Sequence, residues 1–463
     1  MDDINTSLHS ISSGKSKIGF QYYPDTIHFR ESDLQKWLPE LGALRASWLV
    51  LQSSAGRAIP EFFISGLIDA GIEPIIQFRL PLGETLDISQ INPILSAYCR
   101  WGVKKIIFFD RPNTRSVWSS VGWAQQDLME RFLDQFMPLA DLVIKMGANP
   151  VLPPLEPGGS YWDTAFLRSV LEALSRHNQT ELLNNLVISA YAWTNFKSLN
   201  WGNGGSQRWP FSKPYLTPSN SQDQRGFRIF DWYNTVTQSV LQTMLPTIVL
   251  GAGVPCDPDT LALKEFPHEE HAINNLAIAK LLSGEKVKDP ANNKDMLEPL
   301  PENIISCNYW LLAADQSSPY QKQAWFQTND PDLPVVEQFK QWAAKLPVNK
   351  PVPTEKTLEF DTQYVSKSPA NNPARPISHY LLLPSYDWGI ADWHLDVIRP
   401  FVKKYHPTVG FSLNEASMAD RVTVIGNLHN FPENSLNQLR QSGCRVERIS
   451  GDGTTIATQL AER

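Results

Sequence analysis

Short apolar runs recur through the first two thirds of the chain, and stretches with helical spacing separate them. The runs are Ile18–Tyr22, Ala46–Leu51, Glu73–Phe78, Lys105–Phe109, Asn149–Leu152, Leu186–Ala190, Thr247–Leu250 and Ile304–Tyr309. Amphipathic segments fall between or after them at Ile59–Ala70, Ile91–Trp101, Ala124–Met146, Trp162–His177, Phe227–Met244, His268–Leu282 and Leu333–Lys345. Strand-like runs alternating with helical patterns predict parallel strands joined by crossover helices. Eight strands over residues 17–348 fit a (β/α)8 TIM barrel better than a doubly wound sheet, which usually stops at about five to seven strands.

The pattern changes twice. Residues 1–16 are polar and are expected to form a flexible N-terminus; residues 349–376 are rich in Pro, Lys and Asn and are expected to form a linker. Beyond the linker a second α/β rhythm occupies 377–463. Strands are expected at Ser378–Leu383, Thr408–Leu413, Arg421–Ile425 and Arg445–Ile449, and helices at Ala391–Tyr405, Ser435–Ser442 and Thr454–Ala461. This is the outline of a small Rossmann-like module.

Composition narrows the function classes. The net charge is −7 and no Lys/Arg run exceeds two residues, so the clustered cations of a nucleic-acid footprint are missing. No run of about 20 apolar residues predicts a membrane span. The first residues lack the basic start and apolar stretch of a secretory leader, so the chain as given is expected to be cytoplasmic, or extracellular or cell-surface if a leader was removed. Cys99, Cys256, Cys307 and Cys444 are too widely spaced for a metal or redox motif, and neither a metal nor a cofactor is implied. Oligomeric state is not legible. The unusual figure is 15 Trp, which either fill the core or offer faces to sugar rings.

In a barrel the loops after the strands form the functional face. The connection from Tyr191 to Gly226 is the longest and contains Trp193, Trp201 and Trp209. Strand 4 runs into Asp110-Arg111-Pro112-Asn113, and strand 8 into Asn308-Tyr309-Trp310. This layout resembles the large clan of barrel glycosidases, in which strand 4 ends in Asn-Glu-Pro with the acid/base Glu and strand 7 ends in the nucleophile Glu. Pro112 and Asn113 match that motif, whereas Asp110 and Arg111 replace the Asn-Glu pair. An arginine cannot donate a proton near neutral pH. Alternation of side chains along a strand places Asp110 and Arg111 on opposite faces. Strand 7 runs into Gly251-Ala252-Gly253 with no carboxylate, and Asp257 and Asp259 beside prolines are expected to form turns. His268 and His271 lack the spacing of a zinc motif.

Glu156, after strand 5, and Asp110 are therefore the catalytic candidates. Tyr22, Gln77, Arg79, Arg111, Asn113, Trp193, Trp201 and Trp310 are the candidates for substrate binding, Trp310 because the resemblance implies a sugar-subsite floor there. In the last module, Arg421-Val422-Thr423-Val424-Ile425-Gly426 and Arg448-Ile449-Ser450-Gly451 resemble the cell-wall-binding repeat of bacterial surface proteins, with Asn427 in place of its second Gly. Three readings stand: a glycoside-hydrolase-like enzyme with rearranged carboxylates, a non-catalytic binder of carbohydrate or cell-envelope polysaccharide, and a structural assembly protein.

Overall fold

The computed structural model describes residues 16–84, 87–292, 294–346, 375, 377–384, 392–428 and 430–461. The expected linker lies almost entirely outside these residues, as does all but the last residue of the N-terminal segment. The chain divides into two compact units, one built on a closed barrel and one on the C-terminal sheet.

In the first unit, eight parallel strands close on themselves in sequence order: β1 (Ile18–Gln21), β2 (Trp48–Ser53), β3 (Glu73–Phe78), β4 (Lys105–Phe108), β5 (Asn149–Leu152), β6 (Val187–Tyr191), β7 (Thr247–Ala252) and β8 (Ile304–Tyr309). Nearly every strand residue is buried. A parallel sheet covered on both faces has this near-continuous apolar character. Closure pairs Ile18 with Cys307 and Phe20 with Tyr309. Behind that seam, Phe20 packs edge-on to Trp325 at 4.8 Å, and Trp325 and Tyr309 both meet Phe339 of α8 (Pro334–Ala343) at 5.3 and 5.6 Å. Several tryptophans are thus core: Trp37 and Trp325 are fully buried.

The other barrel helices are α1 (Glu31–Ala43), α2 (Glu61–Asp69), α3 (Ile88–Arg100), α4 (Leu128–Lys145), α5 (Asp163–Arg176), α6 (Ile229–Leu241) and α7 (His268–Leu282). Helix α1 was not anticipated from the sequence. It contains Pro39 and buries only Trp37 and Leu41 among charged neighbours, so its apolar stripe is too thin to register. The single long helix expected over 124–146 is instead Ser120–Ala124 followed by α4. The break comes at Asp127, in the left-handed region at φ 59°.

The second unit is a four-stranded parallel sheet in the order β10–β9–β11–β12, with β9 Ile377–Leu382, β10 Thr408–Gly410, β11 Ala419–Ile425 and β12 Arg445–Ile449. Alternate residues feed two cores. Tyr380, Leu382, Val422 and Val424 pack with Leu436 and Leu439 of α10 (Glu433–Gln441). Leu381, Leu383, Ile425 and Ile449 pack with Ile398 and Phe401 of α9 (Asp392–Tyr405) and Ile456 and Leu460 of α11 (Gly453–Ala461). The unit is therefore a three-layer Rossmann-like sandwich. The strand expected through Leu413 stops at Gly410, because Ser412 caps a short helix by accepting from the Glu415 amide.

The turn after β7 tolerates no side chain at Gly253. Its φ is +83°, and an added Cβ would lie 2.5 Å from Cγ of Asn275. Gly253→Ala is expected to cost about 2–4 kcal/mol from backbone strain and overpacking, read as a Tm several degrees lower in thermal denaturation.

Candidate active site

The end of β4 departs from a regular strand. Phe109 and Arg111 both adopt left-handed backbone, φ 68° and 48°, and the Arg111 amide donates to the Pro154 carbonyl at 3.0 Å. The expected alternation of Asp110 and Arg111 is therefore corrected: the chain leaves the pleat at Phe109, and both side chains reach the same mouth.

There Arg111 gathers four carboxylates. Its Nε lies 3.3 Å from Asp110, its Nη1 lies 2.8 Å from Asp257 and 3.4 Å from Glu156, and its Nη2 lies 3.8 Å from Asp259. Asp110, Glu156 and Asp257 are mostly sheltered from solvent, with side-chain exposures of 12, 25 and 18%. Burial opposes the Arg111 charge, but Asp110, Tyr191, Asp257 and Glu156 outweigh it and hold the guanidinium protonated. For Glu156, burial pushes the carboxyl up, Arg111 pulls it down, and the charges of Asp257 and Asp110 push it up again, leaving it at about 7. Glu156 and Asp257 touch the same nitrogen. Their facing oxygens can be no farther apart than those two contacts laid end to end, about 6 Å.

Asp257 was expected only to form a turn. It does so, with one oxygen accepting from the Thr260 amide at 3.2 Å and capping the short helix Pro258–Leu261, while the other oxygen faces Arg111. The Asp257-Pro258-Asp259 turn is stiffened from β8. Gln323 bridges the Trp310 indole at 2.7 Å and the Pro258 carbonyl at 3.0 Å, and the Tyr320 hydroxyl donates to Asp259. Trp310, preceding a cis peptide, is 4% exposed and packs edge-on to Tyr320 at 5.6 Å. It buttresses this loop.

The remaining candidates divide. Tyr191, not anticipated, donates to Asp110 at 2.8 Å and stacks on Trp193, itself buried. Asn113 is fully buried and clamps the β5 loop: its amide group donates to the Glu156 and Tyr161 carbonyls, and its oxygen accepts from the Glu156 amide at 2.8 Å. It positions Glu156 and does not face a ligand. Arg79 is exposed and lies within electrostatic reach of Tyr191 and Tyr320. The structure does not bring Tyr22, Gln77 or Trp201 to the Arg111 cluster. Tyr22 is core, packed among Phe29, Trp37 and Phe63. Gln77 is fully buried and accepts from Gln52 at 2.8 Å. Trp201 donates to Asp223 at 3.0 Å inside the β6 loop. Each was chosen because its type suits a sugar, but packing and hydrogen bonding within the fold use it first.

Asp223 is the organising centre of that long loop. It also accepts from Lys197, Thr217 and Arg225, at 3.2, 2.9 and 2.5 Å. Burial raises its pKa, but these bonds overcome that and depress it to about 2. Neighbouring Gln224 donates to Asp163 at 2.6 Å, and Asp163 also accepts from the Gly158 amide, which ties the β6 loop to the β5 loop that bears Glu156. Across the mouth, both nitrogens of His28 face carboxylates, Asp25 at 2.8 Å and Asp315 at 3.1 Å. Among the described residues this is the grouping with the spacing of a metal site. Each carboxylate engages a different ring nitrogen, which is the geometry of a hydrogen-bonded clasp between the β1 and β8 loops.

No family model matches the chain, and no curated protein matches it. Among solved structures it is similar to a family 39 glycoside hydrolase from the gut symbiont Bacteroides cellulosilyticus WH2, at 13% identity and a TM-score of 0.44, covering 72% of this chain and 64% of that one. It is also similar to a family 128 (subgroup II) endo-β-1,3-glucanase from Sorangium cellulosum, at 12% identity and TM-score 0.38 over 71% of this chain and 98% of that one. A third is a family 113 β-1,4-mannanase, at 11% identity and TM-score 0.36 over 72% of this chain and all of that one. Barrels of other chemistry also match, including fructose-bisphosphate aldolase from Plasmodium falciparum, at 11% identity and TM-score 0.31 over 62% of this chain and 82% of that one. The assignment as a barrel rests on the closed eight-stranded sheet itself.

Asp223→Asn removes the charge that Lys197 and Arg225 share, an expected loss of about 2–4 kcal/mol, measured by urea unfolding with tryptophan emission. In the wild type this contribution is present above the ordinary Asp value of about 4 and is lost as pH falls toward about 2. Tryptophan emission at low pH should follow that window in the wild type and lose the transition in the variant.

Proposed function

We propose that the barrel is a glycoside hydrolase acting on a carbohydrate polymer, with Glu156 as the general acid and Asp257 as its partner carboxylate. One observation supports this above the others: a carboxyl held near pKa 7 stands within about 6 Å of a second carboxylate at the C-terminal mouth of the barrel. A proton donor matched to neutral pH and a nearby carboxylate are the two groups that glycoside cleavage requires. Their separation, at most about 6 Å, is short of the roughly 6.5–9.5 Å that leaves room for a water in inversion, which favours retention.

In this mechanism Asp257 attacks the anomeric carbon as the bond to the leaving oxygen breaks, and Glu156 passes its proton to that oxygen. Glu156, now ionised, takes a proton from water as the water displaces Asp257. Asp110, fixed by Tyr191 and Arg111, shapes the charge around the reacting ring.

The insertion of Arg111 between the two carboxylates favours a second reading, a binder that holds the polymer without cleaving it. For the C-terminal unit we infer an attachment role at the cell envelope. It is supported by the resemblance of its two Gly-ended strands, closing at Gly426 and Gly451, to a cell-wall-binding repeat.

Incubating the full chain with β-linked glucans, mannans, xylans and uronans, and measuring new reducing ends, separates the two barrel readings. The hydrolase reading expects turnover that declines as pH rises through about 7, because only protonated Glu156 is active. It also expects Glu156→Gln and Asp257→Asn each to lower kcat about 10³-fold or more with binding kept. Binding with no turnover on any polymer establishes the second reading.

A further inference from the structure

Arg111 consumes the carboxylates at the mouth, but two other guanidiniums there have no carboxylate partner among the described residues. Arg79, at the end of β3, is exposed and close enough to Tyr191 and Tyr320 for its charge to act on both hydroxyls. Those are the tyrosines that hold Asp110 and Asp259. Arg115 is exposed in an open groove of about 680 Å³ that leaves Glu156 between the β4 and β5 loops. That volume is in the range of ligand sites, about 300–1,000 Å³. The remaining groove surface is the hydroxyl-bearing Thr114, Ser116, Ser120 and Ser160, the bare backbone of Gly158 and Gly159, and the largely buried ring of Trp118. Glu156 is the one carboxylate on its walls.

We propose that the substrate is an anionic polysaccharide whose charged groups lie on the units flanking the reacting ring, one held by Arg115 in the groove and one by Arg79. This rests on the hydrolase reading for the position of the reacting ring, but not for the recognition itself. The charge distribution dictates the placement. A negative group on the central ring would meet Asp110, Asp257 and Asp259, whereas a unit one step away meets a guanidinium with unspent donors. Arginine pairs bidentately with a carboxylate or a sulfate ester, and the serine and threonine hydroxyls suit the ring oxygens of the same unit. A neutral polymer would leave both cations without a role.

The test uses the full chain carrying Glu156→Gln, so that binding is read without turnover. Titration calorimetry compares polygalacturonate with the same polymer after reduction of its carboxyls, and dextran sulfate with dextran. At least about tenfold tighter binding of a charged polymer than of its neutral counterpart is expected. Arg79→Ala and Arg115→Ala should each erode that preference, and the double variant should bring it within about twofold, with unchanged thermal denaturation as both sites are exposed. Preference for polygalacturonate identifies a uronate, and preference for dextran sulfate alone identifies a sulfate ester. Equal binding of charged and neutral polymers, binding of none, or a preference that survives in the double variant overturns the proposal. Cleavage by the wild type of neutral polymers only would overturn it while leaving the hydrolase reading intact. Selective binding of the anionic polymer with no wild-type turnover would do the reverse.

Discussion

Four carboxylates from the ends of three strands cannot share one barrel mouth without a compensating charge. At separations of a few ångströms, partly out of water, each would repel the others by kilocalories. Arg111 resolves this with its planar fork: Nε and Nη1 alone meet Asp110, Glu156 and Asp257. Because guanidinium geometry is fixed, the contact also sets where the carboxylates stand relative to one another. The loops then follow. Asn113 locks the Glu156 turn, Gln323 and Tyr320 lock the Asp257-Asp259 turn, and Tyr191 locks Asp110. The left-handed turn that aims Arg111 inward is thus the constraint on which the site depends.

The barrel was legible because its strands are buried on both faces and read as continuous apolar runs at intervals set by crossover helices. All eight runs became strands, each within a few residues of its expected bounds. What escaped was what a weak pattern hides. Helix α1 shows only two buried residues, and the two-residue strands Val287–Lys288 and Met296–Leu297 are too short to have a period. In the C-terminal unit all four expected strands formed, but β10 was cut short by a side-chain cap that hydropathy does not report.

The site was legible only in part, and the failures share a cause. Sequence spacing shows which residues end a strand but not which way the next bend turns. Asp110 and Arg111 were expected to diverge because a regular strand alternates; two left-handed residues cancelled that rule. Asp257 beside Pro258 had every mark of a turn former, and it is one, but its second oxygen was left for Arg111. Tyr22, Gln77 and Trp201 were plausible by type, but Tyr22 and Gln77 are buried within the barrel unit and the half-buried Trp201 gives its indole N–H to Asp223. Glu156 was singled out on one fact, a carboxylate just past a barrel strand, and the structure places it against Arg111.

An arginine at the position where the resembling clan keeps its acid need not silence the barrel, provided the proton donor has moved. Glu156 enters from the next strand, and its burial does what a hydrophobic pocket does for an acid: it lifts the carboxyl to about 7, so that a substantial share keeps its proton at neutral pH. Arg111 tempers that effect without abolishing it. The guanidinium has five N–H donors, and its Nη2 has only the 3.8 Å approach to Asp259, too long for a hydrogen bond. Donors therefore remain for a sugar hydroxyl or ring oxygen. On the proposed hydrolase reading, a residue that cannot take part in proton transfer still orients the ring on which two neighbours act, and the contact that spaces the carboxylates registers the substrate between them.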